Sequence, residues 1–137
     1  MPEGPEVKRT GQFLASHLSG EVLVDAKVIS GRYTKKPIEG YTNMLATLPC
    51  KFIGVGVHGK FIYMLTSTGI NCFSTLGMAG NWSLSETKHT RFSFTLERGR
   101  EIYYNDQRNF GTIAFKYGPE LLKKKLAKLG PDMLSPE

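Results

Sequence analysis

Residues 91–97 have the sequence RFSFTLE, residues 98–100 the sequence RGR and residues 101–105 the sequence EIYYN. In the first run, Phe92, Phe94 and Leu96 alternate with polar residues, which predicts a strand with one apolar and one polar face. The glycine-containing turn then leads into a second run rich in Ile and Tyr, which predicts an antiparallel partner strand. This hairpin is the clearest structural indication in the chain, and the other elements are predicted from the sequence on either side of it.

Five further runs predict short strands because they are rich in Val, Ile, Phe and Tyr and are bounded by Gly, Pro, Ser and Thr. They cover residues 21–30, 51–58, 60–66, 70–76 and 112–116. Many short strands at this spacing are typical of a sandwich or a barrel. We therefore predict a mainly β fold, a β-sandwich of two antiparallel sheets flanked by an N-terminal and a C-terminal α-helix.

The first predicted helix covers residues 5–19, with Pro5 at a position that suits a helix start and Gly20 as a stop. One face of it is mainly apolar, formed by Val7, Thr10, Leu14 and Leu18. The second helix covers residues 119–129, carries a lysine cluster and ends at Gly130-Pro131. Polar residues 31–41 indicate a loop. We expect a domain over residues 1–118, a helix packed on it at 119–129, and a linker over 130–137.

The 137-residue chain carries 18 Lys and Arg against 12 Asp and Glu, a net charge of +6 that suits a polyanionic partner. No apolar run approaches the ~18 residues of a membrane span, and no signal peptide is recognisable. Cys50 and Cys72 lie in apolar runs, and the histidines show no zinc-ligand spacing. We expect buried reduced thiols, no metal in this segment, no membrane association and an intracellular location.

The N-terminus carries the residues that are best suited to catalysis. Met1 precedes a small residue, so its removal is expected, and this would expose the secondary amine of Pro2. An α-amino group has a reference pKa of ~8, against ~10.4 for lysine, so more of it is neutral at pH 7. Glu3 lies beside this amine, and Glu6 follows one helical turn on. Taken singly, these residues could equally be an ordinary helix start.

A secondary amine that attacks a sugar C1′ forms an iminium ion, which stays charged without an extra proton. This cation acidifies the C2′ proton and permits elimination of the 3′ phosphate. A neighbouring carboxylate such as Glu3 can move protons to the ring oxygen or to the leaving base.

The string Met1-Pro2-Glu3-Gly4-Pro5-Glu6 resembles the opening of the formamidopyrimidine-DNA glycosylase and endonuclease VIII family. The glycine at position 4 is closer to the endonuclease VIII side. The resemblance implies Pro2 as the Schiff-base nucleophile, Glu3 as general acid and base, and Glu6 as a second carboxylate.

Two internal motifs continue the resemblance. The sequence HGKF at 58–61 is similar to the family's Arg-Gly-Lys-Tyr turn, which implies that Lys60 contacts a DNA phosphate near the lesion and belongs to the catalytic set. The sequence TLGMAG at 75–80 is similar to His-Leu-Gly-Met-Ser-Gly, which implies that Met78 fills the gap left by an everted base. Thr75 stands where the family has histidine.

A third internal motif, DQRNFG at 106–111, is similar to Asp-Pro-Arg-Arg-Phe-Gly. The resemblance implies that Arg108 faces the orphaned base and that Phe110 wedges between base pairs. Asn109 stands where the family has arginine, and it completes the predicted DNA-binding set. An everted base is needed because C1′ is poorly reachable inside a duplex.

The closing LGPDML at 129–134 resembles the family's junction into a helix-two-turn-helix domain. We therefore expect this chain to be the N-terminal part of a longer protein whose second half carries that domain and a zinc finger or a zinc-less equivalent. No cofactor is expected in this segment.

The implied function is base-excision repair by a monomeric DNA glycosylase and abasic-site lyase. It would act on double-stranded DNA with oxidised bases or abasic sites, by β,δ-elimination, in bacterial cytoplasm or in a nucleus. Two alternatives remain: a non-catalytic module that binds damaged or distorted DNA, and a basic β-domain that binds protein.

Overall fold

The computed structural model describes residues 4–118 of the chain. Its helices and strands are α1 (Pro5–Leu18), β1 (Val22–Val28), α2 (Tyr41–Ala46), β2 (Cys50–His58), β3 (Phe61–Thr66), β4 (Ile70–Thr75), β5 (Gly80–Ser83), β6 (Thr90–Leu96), β7 (Glu101–Asp106) and β8 (Thr112–Tyr117). The predicted helix over 119–129, the linker over 130–137 and the residues Pro2 and Glu3 lie outside the described part.

The predicted strands are confirmed as β1–β4 and β6–β8. Two elements were not predicted, β5 and α2. The loop predicted over 31–41 contains a short 3₁₀ turn at Arg32–Thr34, and its last residue, Tyr41, begins α2. The Tyr41 hydroxyl donates a hydrogen bond to the Ala26 carbonyl at 2.6 Å, which ties this six-residue helix to β1.

Helix α1 begins after Gly4, whose φ of 57° lies in the left-handed region that favours glycine. Pro5 follows in the first turn, where a missing N–H leaves no hydrogen bond unmade. Val7, Leu14 and Leu18 are buried, so the apolar face predicted from the sequence packs on the core. No helix within residues 4–118 has the length and apolar character that a membrane crossing needs.

The strands form one antiparallel sheet in the order β5-β7-β6-β1-β2-β3-β4-β8. It is continuous, so the two predicted sheets are two parts of one sheet. Strands β1 and β2 pair only through Val22↔Lys51 and Leu23↔Cys50. This short junction allows the sheet to bend into two packed halves, with β5, β7, β6 and β1 in one and β2, β3, β4 and β8 in the other.

Aromatic side chains fill the space between the halves. Phe94 on β6 packs edge-on against Phe52 on β2, with ring centroids 5.4 Å apart, and lies 6.4 Å from Phe115 on β8. Trp82 on β5 stacks on Phe94 at 5.4 Å, and its indole N–H donates to the Ser74 hydroxyl on β4 at 3.1 Å. Because strands far apart in the sheet order touch face to face, the domain has the predicted sandwich architecture.

Replacing Phe94 by alanine should destabilise the fold by about 3–5 kcal/mol, because the side chain is fully buried and its removal leaves a cavity between the sheet halves. Urea unfolding of the Phe94→Ala and Leu84→Ala variants measures this. Leu84 is half exposed, so its truncation should change the free energy of unfolding by less than about 1 kcal/mol. Equal losses in both variants would contradict the assigned core.

Candidate functional site

Glu6 lies in the first turn of α1 and is exposed, beside a cavity of about 570 Å³. Glu6, Arg9 and Phe13 form the helix side of this cavity. The other side comes from residues 76–83, including Met78 and Trp82. The volume is that of a site able to hold one small organic group. The structure thus brings Glu6 and Met78, which are far apart in sequence, to one cavity.

Met78 lies in the loop between β4 and β5, termed here the Met78 loop (residues 76–79). Its side chain is 52% exposed, although its neighbour Leu76 is buried. Phe110 is 58% exposed in the loop between β7 and β8, termed the Phe110 loop (residues 107–111). Two large apolar side chains on neighbouring loops are thus presented to solvent.

The two loops are packed tightly against each other at glycines. Gly77 has a φ of 58°, and a Cβ added there would lie 2.5 Å from the Gly111 nitrogen and 2.6 Å from the Phe110 carbonyl carbon. Such distances are shorter than real Cβ contacts. Glycine at 77 is therefore required both by its backbone conformation and by the contact between the loops.

Asp106 shapes the Phe110 loop from below. This residue is buried, and its carboxylate accepts hydrogen bonds from the N–H groups of Gly111 at 2.8 Å and Arg108 at 3.3 Å. Asn109 has a φ of 56°, a left-handed conformation that asparagine tolerates better than most residues. The turn leaves Arg108 and Phe110 exposed and Asn109 half-buried.

Two arginines hold the same loop through its backbone. Arg91 donates from Nε to the Asp106 carbonyl at 2.9 Å and from a terminal nitrogen to the Gln107 carbonyl at 3.4 Å. Arg32 donates to the Gly111 carbonyl. The sequence did not point to Asp106, Arg91 or Arg32 as contributors to the site. Only Asp106 carried a signal, since aspartate at the start of a turn commonly binds the N–H groups that follow it.

Lys60 is exposed in the two-residue turn between β2 and β3, after Gly59 with its φ of 61°. Strand register fixes where this turn lies. Ile62 pairs with Ser74, and Ser74 pairs with Ile113, so the turn lies beside the end of β4 and the start of β8. These are the strand ends that carry the Met78 and Phe110 loops.

One edge of the sandwich therefore carries Lys60, Met78, Arg108 and Phe110. We call it the loop edge (residues 59–60, 76–79 and 107–111). Phe61, 45% exposed, borders it. Thr75, in the position of the family histidine, is engaged locally: its hydroxyl accepts from the Thr112 N–H at 3.0 Å and lies 2.9 Å from the Thr112 hydroxyl.

Both cysteines are free and buried, as the sequence predicted. Burial raises the pKa of Cys72, and burial likewise raises that of Cys50 against a smaller opposing hydrogen bond to Thr66. Both thiols are therefore protonated near neutral pH, which makes them poor nucleophiles. Among residues 4–118, no cluster of three or more His, Cys, Asp and Glu side chains could hold a metal ion.

Residues 1–113 match the family model described as the formamidopyrimidine-DNA glycosylase N-terminal domain. The chain belongs to the formamidopyrimidine-DNA glycosylase family. The formamidopyrimidine-DNA glycosylase of Bacillus cereus is 33% identical over 100% of this chain and 51% of its own length. That of Thermus thermophilus is 31% identical over 98% of this chain and 48% of its own length. The chain thus spans about half the length of the curated relatives it matches. The predicted leaning towards endonuclease VIII stays a prediction.

Solved glycosylases of this family share the fold. The crystal structure of the Thermus thermophilus Fpg protein has a TM-score of 0.72 and 27% identity, over 95% of this chain and 46% of that one. Lactococcus lactis Fpg, crystallised with DNA containing an abasic site, has a TM-score of 0.75 over 92% of this chain and 48% of that one. At 20% identity the second likeness concerns the fold alone.

The contact between the loops predicts unequal effects of alanine at two glycines with nearly equal φ. Gly77→Ala adds a methyl group against the Phe110 loop, whereas a Cβ at Gly59 meets nothing within 4 Å. Both variants carry the left-handed strain of about 1 kcal/mol. Gly77→Ala should lose at least about 1 kcal/mol more in urea unfolding because of the clash. Equal losses would show that the loops are not in contact.

Proposed function

We propose that this chain carries the damage-recognition edge and the reactive terminus of a base-excision DNA glycosylase that also acts as an abasic-site lyase. The observation that carries the proposal is the loop edge. It presents Met78 and Phe110 as exposed apolar side chains on adjoining loops, with Arg108 and Lys60 at the same edge. The substrate class is double-stranded DNA that contains an oxidised base or an abasic site.

Exposed apolar side chains are suited to entering a base stack. Unstacking one base step costs a few kcal/mol, which an inserted side chain offsets by its own contacts with the bases. Met78, unbranched and polarisable, would fill the space that the everted nucleotide leaves. Phe110 would insert between base pairs on the other strand, and Arg108 would offer its N–H donors to the base left without a partner.

Cations at the loop edge would hold the backbone of the duplex. Lys60 is exposed in the β2–β3 turn, so its ammonium can reach a phosphate without losing an intramolecular partner that the structure describes. The net charge of +6 adds a general attraction that weakens with salt. Asn109, half-buried beside Gly31, would contribute a smaller contact from its amide.

The chemistry we propose begins at Pro2 after removal of Met1. The neutral secondary amine attacks C1′, and the C1′–N bond to the base breaks as Glu3 gives the base a proton. The attacking nitrogen then loses its own proton, which passes by way of the Glu3 carboxylate to the ring oxygen as the ring opens. The resulting iminium draws electrons from C2′–H. Loss of this proton to a base breaks the C3′–O bond and releases the 3′ phosphate, and a second elimination releases the 5′ phosphate. Water then hydrolyses the iminium and frees Pro2.

Glu6 is the carboxylate of this set that the structure describes. It lies on the cavity that Met78 also borders, so a nucleotide displaced by Met78 would be close to it. Its carboxylate lies at the positive end of α1, where negative charge is favourable. The proposal therefore assigns Glu6 to binding or orienting the everted sugar and base, and not to proton transfer at the start of the reaction.

Borohydride trapping tests the nucleophile. The chain with Met1 removed, verified by intact mass, should form a covalent adduct with abasic DNA, because borohydride reduces the iminium to a stable amine. The same chain acetylated at its N-terminus should form none, since an amide nitrogen is not nucleophilic, although every lysine is unchanged. An adduct in the acetylated chain would exclude Pro2. Binding to abasic duplex without any adduct would support the non-catalytic DNA-binding module instead.

Lys60 and Lys51 provide a matched pair of positions for testing the contact with the DNA backbone. Both are exposed and belong to the same hairpin, but Lys51 lies at the far end of β2 from the loop edge. Lys60→Ala should weaken binding to abasic duplex about fivefold and reduce the slope of log K against log salt by about 1. Lys51→Ala should change both quantities much less. Fluorescence anisotropy at several salt concentrations measures this, and equal effects would contradict a phosphate contact specific to Lys60.

A further inference from the structure

Tyr104 lies beneath both loops of the loop edge. Its hydroxyl donates a hydrogen bond to the Thr75 carbonyl at 2.8 Å, where β4 ends and the Met78 loop begins. A Cβ added at Gly111 would lie 1.7 Å from the same hydroxyl oxygen, and one added at Gly80 would lie 2.9 Å from it. A single buried phenol thus lies against the two residues that flank the Met78 loop and against the last residue of the Phe110 loop.

The phenol stays a hydrogen-bond donor at neutral pH. Burial raises the pKa of Tyr104 well above its ordinary value, and the nearby Asp106 carboxylate raises it further, against a smaller lowering by Arg32. Because Tyr104 is 2% exposed, water has little access to replace the bond to Thr75. The link between the loops is therefore present throughout the pH range in which a base-excision enzyme would work.

Asp106, two residues further along β7, holds the Phe110 loop. Its carboxylate accepts from the Gly111 and Arg108 N–H groups, and it lies close enough to the Tyr104 phenol to interact with it. On the Met78 side, the Gly80 N–H donates to the Leu76 carbonyl at 2.7 Å. The buried end of β7 therefore contacts the backbone of the Phe110 loop and of the two residues that flank the Met78 loop.

We propose that Tyr104 and Asp106 are positioning residues that join the Met78 loop and the Phe110 loop into one unit, so that Met78 and Phe110 enter a duplex together. This inference rests on the proposed function. Neither residue is required to touch DNA. Two side chains held in a fixed relation lose less conformational freedom on insertion than two that move independently. The role is thus to make simultaneous insertion on the two strands easier.

The first test needs no DNA. In the 137-residue chain, Tyr104→Phe removes one hydroxyl and keeps the ring. Amide hydrogen exchange at Gly80 and Gly111, one amide from each side, should accelerate together by about fivefold, the factor that corresponds to one lost hydrogen bond. Tyr103→Phe is the control, because alternate residues of a strand point to opposite faces. It should leave both amides unchanged.

Asp106→Asn provides a second variant that keeps the side-chain volume but weakens the acceptor for Gly111 and Arg108. It should accelerate the same two amides. Circular dichroism and thermal unfolding establish that each variant is folded. Acceleration at only one of the two amides, in either folded variant, would overturn the coupling.

The second test is a double-mutant cycle on affinity for abasic duplex, with Met78→Ala and Phe110→Ala. In the parent chain, the loss in the double variant should differ from the product of the single losses by about threefold or more, because the side chains act as one unit. In the Tyr104→Phe background, the losses should multiply. Independent losses in the parent chain would contradict the joint insertion of Met78 and Phe110, even if the exchange data show joined loops.

The two tests separate this inference from the function on which it rests. If the parent chain shows no preference for abasic over intact duplex, the proposed function fails, and the joint insertion of Met78 and Phe110 fails with it. If the preference is present and Tyr104→Phe matches the parent chain in exchange and in the cycle, the function stands and the positioning role of Tyr104 is wrong.

Discussion

The aromatic packing between the two halves of the sheet holds the ends of β4 and β7 against each other. Trp82 is central to it, because it stacks on Phe94 and donates a hydrogen bond to Ser74 on the opposing half. Because Thr75 pairs with Thr112 and Gly80 pairs with Asp106, the Met78 loop and the Phe110 loop both cross from one half of the sheet to the other, and both depend on this closure. With it, Gly77 meets the backbone of Phe110 and Gly111. The loop edge is thus a product of core packing together with local sequence, since Gly77 allows the close contact and Asp106 holds the turn that follows it.

In this arrangement, the groups that hold the loops in place are different from the side chains that are exposed to solvent. The supporting groups are polar and satisfied: the Asp106 carboxylate accepts two N–H groups, and Arg91 donates to two carbonyls of the adjoining turn. Most of these bonds are partly or fully buried, and such a network is costly to disturb, so it fixes the loop backbone. Met78 and Phe110 then present apolar surface to solvent without collapsing onto the core. Such side chains contribute little to folding and are available for a partner.

Much of the architecture follows from local pattern. The alternation at Phe92, Phe94 and Leu96 and the apolar face of α1 predicted elements that the structure contains. Strand β5 was not predicted, because Gly80 and Asn81 favour turns. It forms because it pairs with β7. Helix α2 is too short for a 3.6-residue period to be visible. Met78, Arg108 and Phe110 were found through motifs, whereas Tyr104 was not, since nothing local marks a tyrosine whose partner, Thr75, is distant in sequence.

We propose that the loop edge is the surface that meets damaged DNA. Amide chemical-shift mapping with an abasic duplex tests it directly on the isotope-labelled chain. The shifts should concentrate at residues 59–61, 76–80 and 107–111 and leave the opposite end of the sandwich, such as the turn at residues 67–69, unchanged. Shifts that concentrate at that opposite end, or that spread evenly over the basic surface, would contradict the claim.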